Sequence, residues 1–405
     1  MIIKQLILKR KVIVLAALII HFVSANSQDL TITNCLYIGA IKEIGNGILI
    51  SGHTKDDSTV ITKIDKNKKI EWQIFRNSSY DYFNIYVLDS NSFGLITSNE
   101  INRTKSVEII NKKGNSVAIF TIPFLLNVKE IISFTNYVSI LGSEPDFGKK
   151  YRMGKEYGEI KTMSLENFVK IDYDINFKEI NKIILFKTVW KPICQIIKNK
   201  KNIYLISDYY EPNNDYYGDS LILHDKSQHI FPPNMGDCIY EFDSKGNIVR
   251  NVNFKDRYLG VINSITNETL VTISEIPRQK FVFKRINNLL DTANQLYLNK
   301  INLKNKETIS SKKIPLLKKN IYDYHFLSKD TVIYCNKISN NKLDLISTFI
   351  LSKQSILKNK PFYSKSINTK NDYSLRYCFL SNSPSIMFWY YDKTNNFQIL
   401  KFENY

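Results

Sequence analysis

The chain has 405 residues, 43% hydrophobic and 23% charged, with 14 Gly, 10 Pro, 5 Cys and a formal net charge of +18. The apolar content excludes a disordered chain, the scarcity of Gly and Pro excludes a collagen-like or linker protein, and five cysteines are too few for a disulfide scaffold. The length allows one large repeat domain or two to three ordinary ones.

At the N-terminus Lys4, Lys9, Arg10 and Lys11 precede the apolar run Val12 to Ile20, which continues through Phe22 and Val23; Val23-Ser24-Ala25 comes next, with short residues at the cleavage positions. This is the pattern of a secretory signal over residues 1–25. A membrane anchor is the competing reading, but the run contains His21 and is shorter than the roughly 20 residues a span needs. No Cys follows directly, Cys35 lying too far on for a lipoprotein anchor, and no later stretch is long and apolar enough to span a bilayer. The expectation is an exported protein, periplasmic or extracellular, with no transmembrane segment in the mature chain. Removing the four basic leader residues lowers the charge from +18 to +14. Lysines spread along the whole chain predict a solvated surface rather than a polyanion site, and nucleic acid is not an expected partner. The mature cysteines, Cys35, Cys194, Cys238, Cys335 and Cys378, form no CxxC pair, so no zinc or redox motif is indicated.

Self-similarity organises the chain beyond the leader. Apolar runs of strand formers recur at Gly47–Gly52, Phe93–Ser98, Tyr137–Gly142, Asn202–Ser207, Thr269–Ser274, Thr331–Cys335 and Ser385–Trp389. A second unit comes after several of them: a strand ending in Asp or Asn, a charged turn, then another strand. It reads Thr62 to Trp72, Val107 to Val117 and Ile239 to Val249, with Asp65, Asn111 and Asp243 opening the turn and Lys68, Gly114 and Gly246 in its fourth slot. Asp and Asn side chains close a local turn onto the backbone, and Gly takes positive φ without a Cβ clash. A weaker copy spans Lys300 to Ile309, with Lys304 and Glu307 in the two key slots. Flanking residues alternate, as Cys238, Tyr240 and Phe242 do on one face, which is hairpin periodicity.

The strand "G-h-h-h-x-G" followed by "K-h-D-x-x-G-x-h-x-W", where h is apolar, resembles the β-propeller repeats common in exported bacterial proteins. Copies three, six and seven are degenerate. The runs are spaced by about 45 residues early and about 50 to 65 later, against roughly 40–50 for a four-stranded blade. The surplus is read as insertions at 143–158, 209–236 and 277–294. The resemblance implies an all-β fold over 26–405, a single β-propeller of seven four-stranded antiparallel blades. The chain end, Phe397 to Tyr405, aligns with the third strand of a blade, so the N-terminal segment Asp29 to Cys35 is expected to supply the missing strand and close the last blade. A β-sandwich or two separate β-domains is the structural alternative, and the degenerate copies leave six or eight blades open.

The resemblance carries over no catalytic residue. WD, kelch and sialidase-type signatures are absent, as are the nucleophile elbow, P-loop, dinucleotide fingerprint and HExxH. His53, beside Lys55, Asp56 and Asp57, is read as a polar strand end rather than a base. The insertion 209–236 places Tyr209, Tyr210, Tyr216 and Tyr217 close together, and these four are the candidate binding residues, since Tyr joins a rigid apolar face to a hydroxyl. Packing of those tyrosines onto the blade is the plainer alternative. Glu211, Asp215, Asp219, Asp225, His224 and His229 fit no standard metal spacing, so no metal and no cofactor are expected. Tyr80-Asp-Tyr-Phe83 is read as packing between blades. The leading functional reading is a non-catalytic exported propeller that binds a protein or glycan through its loops. The alternative is a carbohydrate-active enzyme with carboxylates gathered at the central channel, and a third is polyanion binding.

Overall fold

A computed structural model describes residues 27–32, 35–156, 159–188, 194–198, 202–255, except 211–234, then 259–274, except 267, and 296–314. Beyond these it describes the strands 321–328, 331–339, 346–355, 361–370, 376–380, 385–392 and 397–404. The described residues contain strands and turns and no helix.

After β1 (Ser27–Ile32), a first sheet runs β2 (Tyr37–Ile44), β3 (Gly47–His53), β4 (Thr59–Ile64) and β5 (Ile70–Arg76). The second comprises β6 (Tyr86–Val87), β7 (Ser92–Asn99), β8 (Thr104–Asn111) and β9 (Ser116–Ile122). The third comprises β10 (Asn127–Ser133), β11 (Tyr137–Glu156), β12 (Glu159–Asp174) and β13 (Glu179–Thr188). β14 (Cys194–Lys198), β15 (Ile203–Tyr210), β16 (Met235–Phe242) and β17 (Ile248–Lys255) make the fourth. β18 (Val261–Ile265), β19 (Thr269–Ser274), β20 (Leu296–Asn302) and β21 (Thr308–Ile314) make the fifth. β22 (Ile321–Ser328), β23 (Thr331–Ser339), β24 (Ile346–Ser355) and β25 (Pro361–Lys370) make the sixth. The seventh is β26 (Arg376–Leu380), β27 (Ser385–Asp392) and β28 (Phe397–Asn404), with β1 as its fourth member in the order β1-β28-β27-β26.

Among the described residues there are thus seven four-stranded antiparallel sheets, six of them simple meanders, and the last completed from the other end of the chain. β1 pairs with β28 over six residues, from Ser27↔Glu403 to Ile32↔Gln398. This is the connectivity of a β-propeller closed by its N-terminal strand, and it bears out the expected fold. The closing strand begins two residues earlier than the sequence suggests and ends at Ile32 rather than Cys35. The stretch 143–158 is largely carried by β11 and β12, which stay paired out to Glu156↔Glu159. Residues 277–294 lie outside the described residues.

The chain divides into two compact units, one from the described parts of Met1–Thr121 with Asp372–Tyr405, the other from those of Ile122–Asn371. Within each unit, consecutive sheets bury their apolar faces against each other. In the first, Ile44, Leu49 and Ile61 of one sheet meet Ile85, Phe93, Leu95 and Ile110 of the next. Leu30 and Ile32 of β1 meet Ile38, Ile50 and Val60. In the second unit Phe168 and Phe186 stack with centroids 4.7 Å apart and pack with Leu205, Tyr240 and Phe242. Each such side chain contributes about 1.5–3 kcal/mol on leaving water. A sheet covered on both faces reads as a continuous buried run, as β3 and β4 of the first sheet do.

The third-to-fourth-strand turns explain the repeated acid. Asp65 accepts hydrogen bonds from the amides of Asn67 (2.9 Å) and Lys69 (2.8 Å), and the Lys69 amide foremost holds its carboxyl below the usual range. Asn111 and Asp243 close their turns in the same way. The fourth slot is left-handed throughout: Lys68 φ 62°, Gly114 φ 88°, Gly246 φ 80°. Two further turns share this geometry. In the third sheet Asp174 accepts from the Asn176 and Lys178 amides, and Phe177 takes φ 58°. In the fifth, Asn302 opens the turn and Lys306 takes φ 63°, which replaces the expected Lys304 and Glu307 in the key slots. That turn carries one extra residue, closing from the Asn302 amide to the Glu307 carbonyl, so fixed spacing misaligns it.

Two residues before the acid, the third strand carries a buried charge in three sheets: Lys63, Asp172 and Glu241. Each is paired. Lys63 meets Glu71 at 2.9 Å, Asp172 meets Lys170 at 2.6 Å and Glu241 meets Arg250 at 2.6 Å. Burial without those partners would cost several kcal/mol per ion.

Candidate binding surface

At the end of the first two sheets where β3 finishes, two loops bring aromatic rings together. β3 ends in His53, whose carbonyl accepts from the Leu36 amide at 2.7 Å. The turn from Thr54 to Ser58 closes on itself, Thr54 N donating to Ser58 O at 2.8 Å and Ser58 N to Thr54 Oγ1 at 3.0 Å. Asp57, at φ 59°, returns its carboxylate to His53, Nε2 to Oδ1 2.8 Å. The imidazole is largely covered and the carboxylate is exposed.

The second loop joins β5 to β6. Buried hydroxyls of the first sheet hold its backbone: Thr59 Oγ1 donates to Tyr80 O at 2.9 Å and Ser51 Oγ donates to Tyr82 O. Asp81 fixes the loop from inside, accepting from the Phe83 amide (2.8 Å) and from Asn84 Nδ2 (2.9 Å). Gly39 is needed beneath it, because a Cβ there would overlap the Tyr82 carbonyl. Below the loop, the Arg76 guanidinium grips Glu108 with two bonds of 2.9 and 2.8 Å and lies over the Tyr80 ring. Burial alone would raise the Glu108 carboxyl; the Arg76 bonds outweigh it and hold that group below the usual range.

The outcome is four rings in contact. Tyr82 and Phe83 lie 4.1 Å apart by centroid, His53 stacks on Tyr82 at 5.0 Å, and Tyr37 stands edge-on to Tyr82 and Phe83 at 6.1 and 6.0 Å. Phe83 is 52% exposed, a large value for an aromatic with ring partners, and Tyr37 and Tyr82 are half-buried. Burial first, then Tyr37, Asp81 and Asp57, push the Tyr82 phenol up, so it stays a neutral hydrogen-bond donor at ordinary pH. Exposed Lys55, Asp56 and Asp57 border the rings. Such a surface can stack on an apolar ligand face while carboxylates and the imidazole address its hydroxyls or amides.

Of the four tyrosines expected to bind, Tyr209 and Tyr210 end β15, opposite Gly236 and Met235; Tyr216 and Tyr217 lie outside the described residues. His53, read in sequence as a strand end among loop charges, is that and also part of the ring cluster. Phe83, expected to pack between blades, is half exposed. Tyr37 carried no signal, because its partners lie about 45 residues on and only the fold joins them.

No protein-family model and no curated protein sequence matches the chain. Among solved structures it is similar to the β-propeller domain of the Trilobed protease from Pyrococcus furiosus, at 9% identity and TM-score 0.47, over 90% of this chain and 92% of that one. It is also similar to the Dos1 propeller, at 12% identity and TM-score 0.42, over 90% and 77%. A third similarity is to Kuenenia stuttgartiensis hydrazine synthase, at 10% identity and TM-score 0.43, over 91% and 96%. At these values the propeller assignment rests on strand order and register, which make this chain a seven-sheet β-propeller completed by its own first strand.

Proposed function

We propose that the protein is an exported, non-catalytic binding propeller, and that the Tyr37–His53–Tyr82–Phe83 surface takes a glycan. The observation that carries this reading is a half-exposed Phe83 locked against Tyr82 and Tyr37, with His53 stacked on Tyr82, beside exposed carboxylates. Sugar rings present C–H faces that stack on aromatics and hydroxyls that need acceptors, and this surface offers both. Its backbone is fixed by Ser51, Thr59 and Asp81, so little ordering cost falls on binding. The export expected from the leader pattern is consistent with this reading, since glycans are abundant outside the cytoplasm; N-terminal sequencing of the secreted form should begin at Asn26.

The test is a glycan array followed by calorimetry on the mature protein. Phe83→Ala and Tyr82→Ala should each weaken a bound glycan at least tenfold, with unchanged circular dichroism. A glycan held equally well by both variants, or none retained at all, would overturn the proposal. Cleavage of the bound glycan would shift the reading to the carbohydrate-active enzyme.

A further inference from the structure

At the other end of β3 from the aromatic surface, four hairpin turns of the first two sheets enclose a crevice of about 390 Å³. It is floored by the β2–β3 turn around Gly45 and walled by Lys63, Glu71, Ser90, Asn91 and Lys112. The volume falls within the range of small-molecule sites, ~300–1,000 Å³.

The charges in it are unequal in availability. The Asp65 carboxylate is occupied by its own turn, through the amides of Asn67 and Lys69 and the Asn67 side chain. Lys63 is 8% exposed, and its ammonium meets Glu71 at 2.9 Å and the Lys112 carbonyl at 3.1 Å. An ammonium has three donors. The third has no acceptor among the described residues. The Lys112 carbonyl is itself filled, since Trp72 Nε1 also donates to it at 2.9 Å. Lys66 and Lys112 border the crevice, and their ammonium groups make no ion pair among the described residues. The crevice therefore holds a buried donor, with three lysines against the two carboxylates of Asp65 and Glu71, among side-chain amides and a hydroxyl.

We propose that this crevice binds a small hydroxylated carboxylate, a sugar acid, with its carboxylate on Lys63 and its hydroxyls on the asparagines and Ser90. A bare anion would use the cations but leave the amides unserved, and a neutral sugar would do the reverse. The site lies at the opposite strand ends from the aromatic surface and does not depend on it.

The test is calorimetric titration of the mature protein with D-glucuronate, D-glucose and inorganic phosphate. Glucuronate should bind at one site, at least tenfold more tightly than glucose or phosphate. Lys63→Met should weaken it at least tenfold. Should Lys63→Met misfold, the surface double variant Lys66→Gln/Lys112→Gln serves, with an expected loss of at least fivefold. Phe83→Ala should leave glucuronate binding unchanged. The proposal is overturned by any one of four results: no saturable glucuronate binding, glucose or phosphate binding equally well, folded lysine variants that bind as wild type, or loss of binding on Phe83→Ala.

Discussion

Gly246 carries two constraints at once, and Gly246→Ala separates them. Its φ of 80° is left-handed, where an alanine costs about 1–2 kcal/mol. A methyl there would also overlap the Tyr137 hydroxyl and come within 3.0 Å of the Phe134 ring. Tyr137 is not free to yield, because its hydroxyl donates to the Lys245 carbonyl and its ring lies 5.3 Å from the Lys170 ammonium. Losing that hydrogen bond adds about 0.5–1.5 kcal/mol. Gly246→Ala should therefore cost about 1.5–3.5 kcal/mol. Gly114 is the matched control. Its φ is 88°, but an added methyl would meet Ile74 at 3.3 Å and Trp72 at 3.5 Å, so Gly114→Ala should cost only the backbone part, about 1–2 kcal/mol. Urea unfolding followed by near-ultraviolet circular dichroism reads both. In a Tyr137→Phe background the excess cost of Gly246→Ala should fall to about 0.5 kcal/mol or less. Equal losses for the two glycine variants would refute the reasoning, as would an excess that survives removal of the hydroxyl.

The same turns and ion pairs predict two other outcomes. Lys306→Gly should stabilise the protein by about 0.5–1 kcal/mol, since an exposed lysine at φ 63° gives way to a residue without that strain, less the glycine entropy; a lower unfolding midpoint would contradict it. Glu108→Gln should cost about 2–3 kcal/mol at pH 7, below the ~3–5 of a fully buried pair because Arg76 is partly exposed. Because the folded Glu108 carboxyl is held low, its contribution is complete above the unfolded value near 4.3 and is lost as pH falls through the folded one. The gap between wild type and Glu108→Gln should therefore narrow between pH 5 and pH 2, and a constant gap would count against the pairing.

The fold was legible in sequence wherever one strand motif met one turn motif. Asp65, Asn111 and Asp243 could be aligned because the turn chemistry is local and the fourth slot was Gly or near it. Asp174 was hidden because Phe177 fills the left-handed slot, a residue type that gives no hint of positive φ. Asn302 was misaligned by one inserted residue. The closing strand could be anticipated because β26, β27 and β28 supply three strands of the last sheet, and the place beside β28 is the one that β1 takes. The binding surface was legible only in fragments. His53 and Tyr80 to Phe83 stood out separately, but nothing local says that Ser51, Thr59 and a missing Cβ at Gly39 draw the second loop onto the first. The crevice was not legible at all, because it is made by four turns distant in sequence and by Lys63, an ordinary surface residue type that the sheets happen to bury.

The central claim is that β1 completes the last sheet in one register, and paired cysteines test it directly. Thr31 stands opposite Ile399, whereas Glu403 lies four residues further along β28. Thr31→Cys/Ile399→Cys should oxidise to an intramolecular disulfide detectable by peptide mapping of the folded protein, and Thr31→Cys/Glu403→Cys should not. Cross-linking of the shifted pair, or of neither pair in folded protein, would contradict the closure.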